Sequence, residues 1–184
     1  MKEISLNILD IAENSVRAKA TLTTIEITET DSELLLKITD DGTGMEKEVV
    51  EGVINPFYTT RTTRSVGLGI PLIKLAAEQT GGSFKINSKH ISLYPENHGT
   101  VVEVKFNKNH IDYTPLGNTV ASITTLIQGH PETDFLFRHT FNEKSILLDT
   151  RELKDELGDI PLNTYEVIKW VEEYLVEQYS TLYS

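Results

Sequence analysis

ISLNILDIAENSVRAKATLTTIEITETDSELLLKITDDGTGM (residues 4–45) sets the architecture of this 184-residue chain. Its first part repeats apolar residues at spacings of three and four. Ile4, Ile8, Ile11 and Ser15 fall along one face, with Leu9 and Ala12 beside them, which predicts a helix over 3–18. The period then changes to two. TTIEITE (23–29) and ELLLKITD (33–40) read as strands joined by the polar turn Thr30-Asp31-Ser32. Asp-Asp-Gly-Thr-Gly after the second strand is suitable chemistry for a tight turn.

Outward from this stretch, a helix of about two turns is expected after Gly44, running through Met45, Val49 and Val50. VINPFYTTRTTRSVG (53–67) has no clean period, is rich in Thr and Arg, and is broken by Pro56, so a mobile loop over a site is expected there. Gly69 leads into IPLIKLAAEQT, an amphipathic helix that tolerates Pro71 in its first turn and ends at Gly81-Gly82. SFKINS (83–88) and TVVEVKF (100–106) complete a set of strands. Helices on one face of a mostly antiparallel or mixed sheet make an α/β two-layer sandwich.

NKNHIDYTPLGN (107–118) is polar and turn-rich and suggests a boundary, with one domain over 1–109 and an acidic α+β C-terminal extension or small subdomain over 110–184. The extension reads as a helix (119–128), strands at 134–140 and 145–150, a short helix (151–157) and a closing amphipathic helix from Asn163 to about Tyr179. That last helix carries Val167, Val171, Tyr174, Leu175 and Gln178 on one stripe, with Trp170 nearby. Packing on its own domain is expected, with a dimer or partner face as the alternative.

Composition narrows the class. Hydrophobic residues make up 39% and charged residues 24%, a soluble globular balance. Without cysteine, disulfides and thiolate metal sites are excluded. No signal-peptide pattern and no run of about 18 apolar residues is present, so a cytoplasmic protein without membrane partners is expected. The net charge of −11 is uneven: 12 basic against 15 acidic residues up to His110, and 5 against 13 from Ile111 onward. An acidic surface repels a phosphate backbone and disfavours nucleic acid. It suits solubility or the docking of a basic partner.

Three short stretches carry the chemistry. In ILDIAENSVRAKAT (8–21), Asn14 offers an amide oxygen, a hard ligand suited to Mg²⁺, and Arg17 at the next turn is placed to neutralise phosphate charge. In DDGTGM (40–45), Asp40 ends a strand and opens a glycine turn. In SVGLGIPLIKLAAEQTGG (65–82), a glycine loop opens a helix whose backbone N–H groups and dipole suit phosphates. With GTVVEVKF (99–106) closing the series, residues 3–106 resemble the Bergerat-fold ATPases of the GHKL superfamily. These include histidine-kinase catalytic domains, anti-sigma-factor kinases, mismatch-repair ATPases and heat-shock chaperones. PFYTTR (56–61) is close to the segment before the glycine loop in histidine kinases.

The resemblance implies ATP and Mg²⁺ as cofactors, with Asn14 holding the metal and Arg17 touching phosphate. It implies that Asp40 accepts from the exocyclic amine of adenine, where guanine offers a carbonyl. Gly42 and Gly44 would let the backbone approach the ring, with Met45 beside them, and Thr100 matches a Thr near the adenine. Thr59, Thr60, Arg61, Gly67, Leu68 and Gly69 would form the lid and phosphate loop. Asp10, one turn before Asn14, stands where several member families have a catalytic Glu, and is shorter by one methylene. Asp41 replaces a usual Asn and Ser65 a usual Gly.

No phosphoacceptor hairpin fits before the first helix of the sequence as given. His90, His98, His110, His130 and His139 read as ordinary surface or loop histidines, too scattered for zinc. The expectation is a stand-alone regulator that binds ATP and acts on a partner protein as a kinase or slow ATPase. A non-catalytic ATP-sensing module is the alternative, and an ATPase clamp of the mismatch-repair type is a third.

Overall fold

The computed structural model describes residues 3–55 and 67–184. In chain order its elements are α1 (Ile4–Arg17), β1 (Leu22–Glu29), β2 (Glu33–Asp40), α2 (Lys47–Ile54), α3 (Gly69–Gln79), β3 (Ser83–Lys89), β4 (Gly99–Asn107), α4 (Thr119–Gly129), β5 (Asp134–Phe141), β6 (Lys144–Asp149), α5 (Thr150–Leu157) and α6 (Tyr165–Leu182). The six strands form one sheet in the order β3-β4-β2-β1-β5-β6. Every neighbouring pair is antiparallel except β1 and β5, which run parallel with Ile25 opposite Phe137.

Alternation in the strands decides which face is covered. Ile25 and Ile27, Leu34, Leu36 and Ile38, Val102 and Val104 all point to one buried face, while Lys37, Glu26, Glu103 and Arg138 decorate the other. The apolar stripes of α1, α3, α4 and α6 close over the buried face as a single core. This is the α/β two-layer sandwich that the changes of period predict.

The segment after His110 is joined to the rest by backbone bonds. Ile4 and Ser5 donate their N–H groups to the carbonyls of Pro115 and Leu116, satisfying donors that the first turn of α1 cannot pair internally. Ser122 Oγ donates to the Ser5 carbonyl at 2.9 Å, and β5 extends the sheet beside β1. α6 packs through Val167, Val171, Leu175 and Leu182.

One histidine departs from the sequence reading. His139 is fully buried, because the alternation of Phe135 and Phe137 carries on to it and turns it into the core. Its Nδ1 lies 2.7 Å from the Tyr179 hydroxyl, and its Nε2 lies 3.6 Å from a Glu29 carboxylate oxygen. Burial alone would push the Glu29 carboxyl up, but His139 and Lys108 hold it below its ordinary value. Among the described residues no helix is long and apolar enough to cross a membrane.

Candidate nucleotide-binding site

At the end of the sheet where β2 meets the C-terminal half of α1 lies a cavity of about 220 Å³. Ile11, Ile38, Val49, Ile70 and Val102 give it apolar walls; Asn14, Arg17, Asp40, Gly44, Met45 and Thr100 also line it. Helical spacing brings Asn14 and Arg17 to its rim, and the end of β2 brings Asp40 to its floor. Two residues 26 positions apart in sequence thus face one hollow.

Asp40 is held in a fixed orientation. Its carboxylate accepts from Ser15 Oγ at 2.7 Å, from the Gly42 N–H at 2.9 Å and from the Thr100 N–H at 3.3 Å. A carboxylate has about four acceptor positions, so these three donors leave it capacity for one more. The sequence pattern places Ser15 only on the apolar face of α1. A hydroxyl on that face beside Asn14 was the available sign that it meets a polar partner. Thr100 is fixed in turn by Ser88, directly across the β3–β4 ladder, at 2.7 Å between hydroxyls. Ser88 also accepts from the Met45 N–H at 2.7 Å.

The glycines of the turn have reasons beyond access to a ring. A Cβ at Gly44, whose φ is +69°, would fall 2.0 Å from the Lys89 carbonyl oxygen. One at Gly42 would fall 2.8 Å from the Ala18 carbonyl oxygen, where α1 ends. The turn is therefore wedged between α1 and the 89–98 connection. Ile91 N–H donates to the Thr43 carbonyl at 2.8 Å, and His98 Nδ1 bonds the Gly42 carbonyl. His98 is a contact that sequence reading missed, because its partner lies 56 residues away.

Asp41, the departure from the usual Asn, turns away from the cavity. It accepts from the Thr21 N–H and hydroxyl and from the Leu22 N–H, pinning the start of β1. Burial would raise its carboxyl, yet these hydrogen bonds hold it below the ordinary value.

Asp10 does not line the cavity. It stands one turn before Asn14 against the start of α3, where a Cβ on Gly69 would meet its own Cβ at 2.7 Å. Burial pushes the Asp10 carboxyl up; Arg17 opposes this and Glu13 adds to it. Glu13 faces away from Asn14, with both carboxylate oxygens on His130 Nε2 at 2.9 and 3.0 Å. Asn7, buried on α1, donates to the Gly69 carbonyl at 3.2 Å. No side chain caps α3, and Pro71 has no N–H, so its free donors come from Leu68, Gly69 and Ile70. Gly67 and Leu68 are exposed. Thr59, Thr60 and Arg61 lie outside the described residues.

Residues 2–110 match the family described as histidine kinase-, DNA gyrase B-, and HSP90-like ATPase. The chain belongs to this ATPase family. It is 30% identical over 91 residues to sporulation kinase C of Bacillus subtilis, covering 48% of this chain and 20% of the kinase. Over 122 residues it is 31% identical to the cell-division control histidine kinase PdhS of Brucella anthropi, covering 58% of this chain and 11% of PdhS. It thus spans a fifth or less of these relatives. Among solved structures, the Aquifex aeolicus MutL ATPase domain complexed with ADP superposes with a TM-score of 0.56 at 19% identity, covering 85% of this chain and 68% of that one. That share exceeds the family match, so part of the fold likeness falls beyond residue 110.

The residues present can be tested against a nucleotide and a divalent cation. The open acceptor position of Asp40 above apolar walls fits an adenine. Asn14 Oδ1, which accepts from Arg17 at 3.3 Å, keeps a second lone pair for a hard cation. Among the described residues no group of three His, Cys, Asp or Glu side chains forms a metal cage.

Proposed function

We propose that the chain binds Mg-ATP in this cavity and acts as a cytoplasmic regulator, as an ATP-dependent kinase or slow ATPase that acts on a partner protein. The observation that supports this most is the convergence of Asp40, oriented by three donors, and Asn14 on one hollow. Asp40 selects the base. Asn14 holds Mg²⁺, which neutralises phosphate charge, and Arg17 adds a cation beside it. Phosphoryl transfer asks mainly for such positioning and charge neutralisation. Asp10 accepts the proton of the attacking hydroxyl or water, a role helped by the upward push on its carboxyl.

A second reading draws on the place of Asp10 outside the cavity and against Gly69. There a carboxylate one methylene shorter than Glu serves as a contact of the start of α3, and the protein senses ATP without consuming it.

Radiolabelled ATP with Mg²⁺ distinguishes the two, using the full chain and Asp10→Asn. The catalytic reading expects turnover to fall by about 10²-fold or more in the variant with ATP affinity retained. Equal turnover in both proteins removes Asp10 as the base. Tight binding with no turnover in either supports the sensing module.

A further inference from the structure

On the outer edge of the sheet, β6, α5 and α6 enclose an open groove of about 400 Å³. Leu147, Leu148 and Leu153 contribute apolar lining, with Leu147 the most exposed of them. Trp170 and Tyr174 form a wall, stacked with ring centroids 5.3 Å apart and planes 9° from parallel. The Tyr174 hydroxyl donates to the Leu147 carbonyl at 2.9 Å, which fixes the aromatic pair to the strand edge. Trp170 is nevertheless 49% exposed. A large, immobilised aromatic left half in water on an apolar groove is a feature of binding surfaces.

The opposite rim is acidic. Glu152, Asp155 and Glu156 line the groove, are exposed, and form no ion pair among the described residues. The two basic residues of α5 are already engaged, Arg151 with Asp149 and Lys154 with Asp134, each at 2.7 Å. Glu152 lies in the first turn of α5, where the helix dipole favours it. Asp155 and Glu156 lie in the last turn, where the dipole opposes a negative charge. Helix stability therefore does not account for them.

We propose that this groove docks a basic segment of a partner protein, an apolar side chain resting on the leucines while neighbouring Lys or Arg side chains meet the acidic rim and the Trp170 ring. A cation over an indole is attracted by the ring quadrupole, and more strongly once water is excluded. Charge complementarity selects this occupant. A second copy of the chain brings the same excess of negative charge, with 13 acidic against 5 basic residues from Ile111 onward. Anionic lipid and nucleic acid are repelled likewise. The proposal is independent of the nucleotide reading, since it uses no residue of that cavity.

Trp170 is the single tryptophan of the chain, so its fluorescence reports on this groove alone. The full chain, without nucleotide, is titrated with a short synthetic peptide alternating Arg and Leu, and with versions carrying Ser or Glu in place of Arg. The expected result is a saturable change in emission with the Arg peptide only, with affinity falling about tenfold or more between low and physiological salt. Glu152→Lys combined with Glu156→Lys lowers the affinity by about tenfold or more. Asp155→Asn with Glu156→Gln, a milder pair that retains the helix, lowers it by a smaller factor, and circular dichroism confirms that each variant folds. Equal binding of the Ser peptide overturns the proposal in favour of a merely apolar patch. Unchanged binding in the folded variants overturns it in favour of unspecific attraction. An emission change that follows protein concentration without peptide overturns it in favour of self-association.

Discussion

The two ends of the sheet are built by the same alternation of apolar and polar residues, and carry different kinds of information. Around the cavity shared by Asp40 and Asn14, single atoms leave no freedom: Gly44 has no room for a Cβ, and Asp40 is held by donors from α1, the turn and β4. At the β6 edge, the groove is defined by an aromatic stack and by charges without ion-pair partners among the described residues, which many sequences could supply. The first kind of constraint leaves a motif in the sequence. The second leaves only composition and period.

Breaking β5 tests whether the two regions stand or fall together. Phe137 is fully buried opposite Ile25 in the parallel β1–β5 ladder. Phe137→Ala is expected to cost about 3–5 kcal/mol, and thermal unfolding followed by calorimetry should show one transition displaced as a whole. Two transitions, with the nucleotide-binding part unmoved, would make the segment after His110 an independent unit.

A smaller effect is expected within the cavity. Asn14→Ala should weaken ATP binding by about tenfold in the presence of Mg²⁺ and leave the metal-free affinity nearly unchanged. Calorimetric titration with and without EDTA checks this, and a full metal response in the variant would remove Asn14 as the ligand.

An effect of similar size, on stability instead of binding, concerns Asp41, which holds the start of β1 and does not line the cavity. Asp41→Ala should cost about 1–2 kcal/mol of stability through the lost hydrogen bonds to Thr21 and Leu22, with ATP affinity unaltered. The Asp41 carboxyl sits below its ordinary value of 3.8 in the folded protein. Its contribution is therefore present above about pH 4 and is lost as the pH falls through the lowered value. Denaturant titrations of both proteins should converge in acid and diverge near neutrality. A difference that does not depend on pH would mean that the carboxylate charge is not what Thr21 and Leu22 require.

Much of this was legible in advance, and the misses have identifiable causes. The changes from a period of three and four to a period of two locate α1, β1 and β2 within a residue or two. That Asn14 and Asp40 line one cavity was readable because each sits in a motif of rigid spacing. The registry of β5 beside β1 was not, since nothing local encodes which strand a parallel partner chooses. Ser15, Ser88 and His98 act through partners 11 or more residues away, and no spacing rule brings them together. His139 could have been read correctly: Phe135, Phe137 and His139 alternate, and the histidine follows the phenylalanines into the core.

The central claim is that Asp40 reads an adenine in the cavity it shares with Asn14, and comparing ATP with GTP binding to the unmodified chain tests it most directly. A hydrogen bond to a charged group is worth about 1.5–3 kcal/mol, so ATP is predicted to bind about ten to a hundred times more tightly than GTP. Equal affinities for the two nucleotides would contradict the account.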